Sequence, residues 1–193
     1  VVNDAFVPEH RTHKMIEDDG GRKFKNKPAL YRLPFMQVFS RAVSTPSLGA
    51  LEGALEKYID IAQNRLAGMI AMKDDPNAKR LAAEVDASIA SMKTTLFHNF
   101  DHLMAHAHAG EVASLRDRAR YRYNTSVVAD TCVGLSSRML KAAGSTGIRN
   151  NGTLLKQHRD ILASQAHIAN VSEPLAVNLG GMLLGQESTD LNI

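Results

Sequence analysis

The 193-residue chain carries 23 Lys plus Arg against 20 Asp plus Glu, for a net charge of +3, and 44% of its residues are hydrophobic. That size suits one domain with a sizeable core, and interleaved charges without a basic tail argue against nucleic acid as a partner. A single cysteine, Cys132, excludes an internal disulfide or a cysteine-rich metal site and fits a reducing, cytoplasmic setting, while no apolar run approaches the ~20 residues of a membrane span.

Residues 1–43 lack sustained periodicity. The chain opens Val1-Val2-Asn3 without an initiator methionine, which reads as an extended segment closing a preceding, missing β domain, so the chain is expected to be a piece of something longer. Asp18-Asp19-Gly20-Gly21, a Lys-rich link, Pro28 and Pro34 then mark turns. An irregular arm is expected here, with one short helix over 35–42.

Helical rhythm follows over 44–193, the second expected domain. Thr45-Pro46 offers a capping hydroxyl before a proline at the first helical position, and Leu48, Leu51, Leu55, Tyr58, Ile59, Ala62, Leu66 and Met69 recur at steps of three and four. Asp75-Pro76 repeats the start signal, and Leu81, Val85, Ile89, Met92, Leu96, Phe100 and Leu103 carry a second helix to Gly110. A third helix is expected over 113–143, stopping at Gly144, and a fourth over 152–169. Ser172-Glu173-Pro174 starts a fifth that ends near Gly185. Long helices joined by short turns make antiparallel neighbours, so the predicted fold is an all-α, up-and-down four-helix bundle behind an irregular N-terminal arm.

Several polar groups invite functional readings. Arg116, Arg118, Arg120 and Arg122 step by two, about 200° each on a helix, so they split onto two faces and read as solvated charge. His98, His102 and His106 stand four apart, a spacing at which imidazoles chelate metals, but the Glu-x-x-His that di-iron bundles draw from facing helices is absent. A polar helix face with no metal is therefore expected. Arg159-Asp160 precedes His167, and on a continuous helix His167 would lie about 20° from Asp160, so the carboxylate and imidazole would share a face. A histidine can move a proton, or hold a phenol, near neutral pH.

Together with Pro28-Ala29-Leu30-Tyr31-Arg32-Leu33-Pro34-Phe35 and the opening Asp4-Ala5-Phe6-Val7-Pro8-Glu9-His10-Arg11, this pattern resembles the C-terminal part of the two-component flavin-dependent aromatic monooxygenases, which are built on the acyl-CoA dehydrogenase fold. The resemblance implies an oxygenase component that uses O2 and reduced FMN or FAD from a separate flavin reductase to hydroxylate a small aromatic substrate. It also implies a homotetramer. On the matching positions, Arg65 would reach a flavin phosphate, Gly144, Ser145 and Thr146 would form the loop against the flavin of a neighbouring subunit, and His167 would be the catalytic residue that orients or deprotonates the phenol. Acyl-CoA dehydrogenases use a glutamate in a Tyr-Glu-Gly loop, and no such tripeptide occurs here. Their glutamine and paired glycines fall on Met139, Ala143 and Gly144. Because other parts of the pocket would come from outside this segment, the chain alone is expected to be inactive. The alternatives are an acyl-CoA dehydrogenase-like oxidoreductase and a non-catalytic helical oligomerisation module.

Overall fold

In the computed structural model, residues 3–12, 28–67, 69–149, 152–191 and 193 are described. Five helices dominate: α1 Phe35–Asn64, α2 Pro76–Ala109, α3 Leu115–Gly147, α4 Thr153–Gln165 and α5 Glu173–Leu183. A two-residue antiparallel ladder, β1 Leu66–Ala67 with β2 Ile70–Ala71, joins α1 to α2. The expected all-α fold is therefore the observed one. The turn signals at Asp18-Asp19-Gly20-Gly21 and the Lys-rich link lie outside the described residues, and residues 3–8 carry no regular element.

The starts of α2 and α3 follow directly from their sequences. Asp75 accepts from the Asn77 amide at 2.9 Å, and Pro76 sits where a missing N–H costs nothing. Ser114 accepts from the Asp117 amide at 3.1 Å and donates to the Asp117 carboxylate at 2.6 Å. Gly110 closes α2 in the left-handed region, at φ 77°, where a Cβ would be strained.

Thr45-Pro46 does not start a helix, because α1 begins at Phe35 and runs through Pro46 to Asn64. Pro46 removes the N–H that would meet the Ala42 carbonyl. Side chains brace that turn: Thr45 Oγ1 donates to the Arg41 carbonyl at 2.8 Å, and Arg41 Nη1 donates to the Gln37 carbonyl at 2.6 Å. The buried stripe Gln37, Ser40, Arg41, Ser44, Ser47, Leu48 and Leu51 continues across the proline, so tertiary packing sustains what local preference would interrupt. The expected boundary between 43 and 44 thus falls inside one uninterrupted helix.

The core lies between α1, α3 and α4, with α2 alongside α1 and α3, and α5 leaning on α3. Leu51, Ala54, Tyr58, Val85, Cys132, Met139, Ala143, Leu154 and Ile161 pack there without measurable gaps to solvent. Burial pushes the Cys132 thiol up to about 12, which makes it a packed, poorly nucleophilic group. Among the described residues, no helix is long and apolar enough to cross a membrane.

Candidate functional site

Arg65 follows the last residue of α1 and turns its guanidinium toward α3, where Nη1 donates to the Ala143 carbonyl. That carbonyl precedes a break. Gly144 takes φ 56° and ψ −144° inside α3, a conformation that glycine adopts readily and other residues do not. A Cβ on Gly144 would stand 3.1 Å from Arg65 Nη2. The regular helix breaks at Gly144 as expected, and one further turn runs on through Ser145 and Thr146 to Gly147, whose position against Ala143 and Leu154 admits no side chain and lets α4 begin close by. The structure therefore joins two of the predicted cofactor residues, Arg65 and Gly144, and puts Ser145 exposed and Thr146 half-buried on the same turn. The donor set is a permanent positive charge, a kinked backbone and two hydroxyls, with no carboxylate among the four residues. Such a set fits a phosphate.

His167 departs further from expectation. Helix α4 ends at Gln165 rather than at 169, so His167 is not a helix residue and shares no face with Asp160. Asp160 accepts instead from Lys156 at 2.6 Å, and not from Arg159. The imidazole caps a short 3-10 turn, Ile168–Asn170, by accepting at Nδ1 from the Ala169 amide at 3.1 Å, and its ring tilts against Phe39 of α1 with centroids 5.9 Å apart. With the Nδ1 lone pair occupied, the neutral ring carries its proton on Nε2. The exposed His167 therefore presents a donor outward. It acts as a base only after releasing Ala169.

These two groups lie at opposite ends of the bundle. Phe39, which touches His167, is 26 residues from Arg65, or about 39 Å along the helix at a rise of about 1.5 Å per residue. One chain cannot bring Arg65 and His167 onto the same reacting atoms.

Within the histidine series on α2, His102 and His106 meet edge to face with ring centroids 4.6 Å apart, and each also has a polar partner of its own. His98 is exposed, His102 Nδ1 meets the Tyr121 hydroxyl at 2.7 Å, and His106 Nδ1 lies 3.3 Å from the Glu111 carboxylate. Among the described residues, no group of three or more His, Cys, Asp or Glu is placed to hold a metal ion.

The arginine run was only half legible as solvated charge. Arg116 and Arg120 are exposed, whereas Arg118 and Arg122 turn inward. Arg118 donates to the carbonyls of Ala113 and Ile193, and Arg122 lies 3.3 Å from the Asp190 carboxylate with both side chains buried. Burial lowers the pKa of both guanidiniums. The missed signal was register: residues 118 and 122 share a face with buried Thr125 and Ala129.

The kinked α3 braced by α1, with α4 folded back beside it, defines an all-α bundle domain of the acyl-CoA dehydrogenase type. The chain belongs to the acyl-CoA dehydrogenase, C-terminal domain family, which it matches over residues 42–172. It is 28% identical over 191 residues to the flavin-dependent monooxygenase oxygenase subunit HsaA of Mycobacterium tuberculosis, covering 96% of this chain and 48% of that protein. It is 24% identical to the oxygenase component of an FADH2-dependent resorcinol hydroxylase from a Rhizobium species, covering 97% of this chain and 49% of that one. The crystal structure of HsaA from M. tuberculosis superposes with a TM-score of 0.88 at 26% identity, over all of this chain and 50% of that one. XiaF from a Streptomyces species, solved with FADH2 and glycerol, shares the fold at a TM-score of 0.87 and 18% identity, over all of this chain and 50% of that one. The chain spans about half the length of the curated relatives it matches.

Proposed function

We propose that this chain is the C-terminal half of the oxygenase component of a two-component flavin-dependent monooxygenase. The whole protein hydroxylates a small phenolic or other aromatic compound with O2 and reduced FMN or FAD delivered by a separate reductase. The observation that carries this reading is the likeness to HsaA along 96% of the chain.

Reduced flavin, when bound, supplies the electrons that activate O2. Arg65, with Ser145 and Thr146 on the Gly144 kink, holds its phosphate through charge-assisted hydrogen bonds. His167 donates its Nε2–H to the phenolic oxygen of the substrate, which orients the ring and favours the more nucleophilic phenolate. The roughly 39 Å between the two ends of α1 exceeds the reach of one flavin, so each end serves a different flavin and a second copy completes each site. A homotetramer meets that need. The exposed Leu66, Met69 and Ile70 on the hairpin beside Arg65 supply apolar surface for the contact between copies. We place the protein in the cytoplasm, in keeping with a single buried thiol.

The test supplies the full-length protein with chemically reduced FMN or FAD, 18O2 and a panel of phenols. One labelled oxygen atom in the product is expected. Oxidation of acyl-CoA thioesters without label incorporation would sink the proposal.

A further inference from the structure

Arg41 is a buried cation with no anion beside it among the described residues. Its residue surface is 9% exposed, and only Nη1 is satisfied within the helix, by the Gln37 carbonyl at 2.6 Å. Nε and Nη2 have no hydrogen-bond partner among the described residues, and no described carboxylate lies within ion-pairing distance. The guanidinium carbon sits 5.3 Å from the centre of the Phe100 ring, a contact that favours a cation over one face but leaves its N–H edge unanswered. Desolvation brings its pKa down to about 10, against a partial opposing effect of nearby Tyr121. A buried charge of this kind is costly unless something pairs with it.

The surroundings repeat the deficit. Among the described residues, Ser40 Oγ and Asn99 Nδ2 are buried without hydrogen-bond partners, on 2% and 3% exposed residues flanking Arg41 in sequence and Phe100 on α2. Gln37, one turn before Arg41, donates Nε2 to the Arg118 carbonyl at 3.1 Å, and its Oε1 has no hydrogen-bond partner among the described residues. The neighbouring cations on α3 are already committed, Arg122 to Asp190 and Arg118 to two carbonyls. Among the described residues, the unanswered groups at and beside Arg41 and Phe100 are thus a guanidinium edge, a hydroxyl and an amide N–H as donors and one amide oxygen as acceptor, the complement of an anion that carries a single hydroxyl.

We propose that the junction of α1, α2 and α3 around Arg41 is an oxyanion site for a hydrogen-phosphate group. Arg41 supplies the charge, Ser40 and Asn99 the neutral donors, and Gln37 Oε1 the acceptor for the phosphate hydroxyl. Arg41 lies about 36 Å along α1 from Arg65, so this site is separate from the phosphate contact that Arg65 of the same chain is proposed to make.

Thermal unfolding of the chain is followed against inorganic phosphate at constant ionic strength, with sulfate, which has no hydroxyl to donate, as the comparison. At ten times the half-saturating phosphate concentration, Tm is expected to rise by about 3–6 °C for a chain of this size, and by less with sulfate. Arg41→Met should abolish the difference between phosphate and sulfate. Because that variant risks poor folding, Asn99→Asp provides a second reading: a carboxylate beside Phe100 replaces the missing anion, so Tm should rise without phosphate and respond little to it. Equal phosphate responses in wild type and both variants, or no response in the wild type, would overturn the site.

Discussion

Arg65 and Ala143 stand 78 residues apart in sequence, yet the guanidinium of one satisfies the carbonyl of the other. The bond closes the end of α1 onto the break in α3, so one arginine both braces a kink and faces the turn proposed to bind phosphate.

Removing either side of that brace should loosen the bundle. Gly144→Ala forces a positive φ on a residue with a Cβ, at about 1–2 kcal/mol, and drives that Cβ against Arg65. Arg65→Met leaves the buried Ala143 carbonyl unpaired, at about 1–3 kcal/mol. Urea denaturation of both single variants and the double variant is expected to give a sum larger than the double loss, since the two act on one contact. Strict additivity would mean that the brace contributes nothing.

His167 couples a structural cap to a proposed chemical role, and two substitutions separate them. Asparagine keeps a side-chain acceptor for the Ala169 amide, whereas alanine loses it, at about 1 kcal/mol. In the full-length protein, hydroxylation should fall by about 10²–10³ with either residue, because neither restores the Nε2–H donor. If His167→Asn hydroxylates at the wild-type rate, the histidine is only a cap.

The buried Arg122–Asp190 pair ties α3 to the segment after α5. Asp190→Ala removes the carboxylate 3.3 Å from a buried guanidinium and should lower stability in chemical denaturation. Replacing both residues by apolar ones of similar volume, Arg122→Met with Asp190→Leu, should recover most of that loss. A double variant as unstable as Asp190→Ala would show that the contact does more than neutralise charge.

His158 sits against Ser136, with Nδ1 2.9 Å from the hydroxyl, and burial lowers its pKa below the usual histidine value. The unfolded chain then binds the proton more readily than the folded one. Its contribution is fully present above the unfolded value, near 6.5, and is lost as the pH falls through the lower folded value. Denaturation midpoints measured from pH 8 to pH 5 should fall more steeply for the wild type than for His158→Gln. Parallel curves would remove His158 from the acid response.

Local chemistry wrote the starts of α2 and α3 and the glycine that closes α2 into the sequence, because a cap, a proline and a positive φ act over three or four residues. The all-α fold followed from apolar spacing alone, since a stripe at period 3.6 must be covered by another helix. The sequence also pointed to Arg65 and Gly144 separately. It could not bring them together, because their contact depends on how α1 and α3 cross. Tertiary packing overruled the local signals in three places. Buried contacts on both sides of Pro46 carry α1 through a residue that ends helices elsewhere. The close of α4 at Gln165 turns His167 from a helix-face base into a cap with its donor outward. The inward register of Arg41, Arg118 and Arg122 buries charges that composition alone assigns to solvent, because which helix face is covered is settled only by the neighbouring helices.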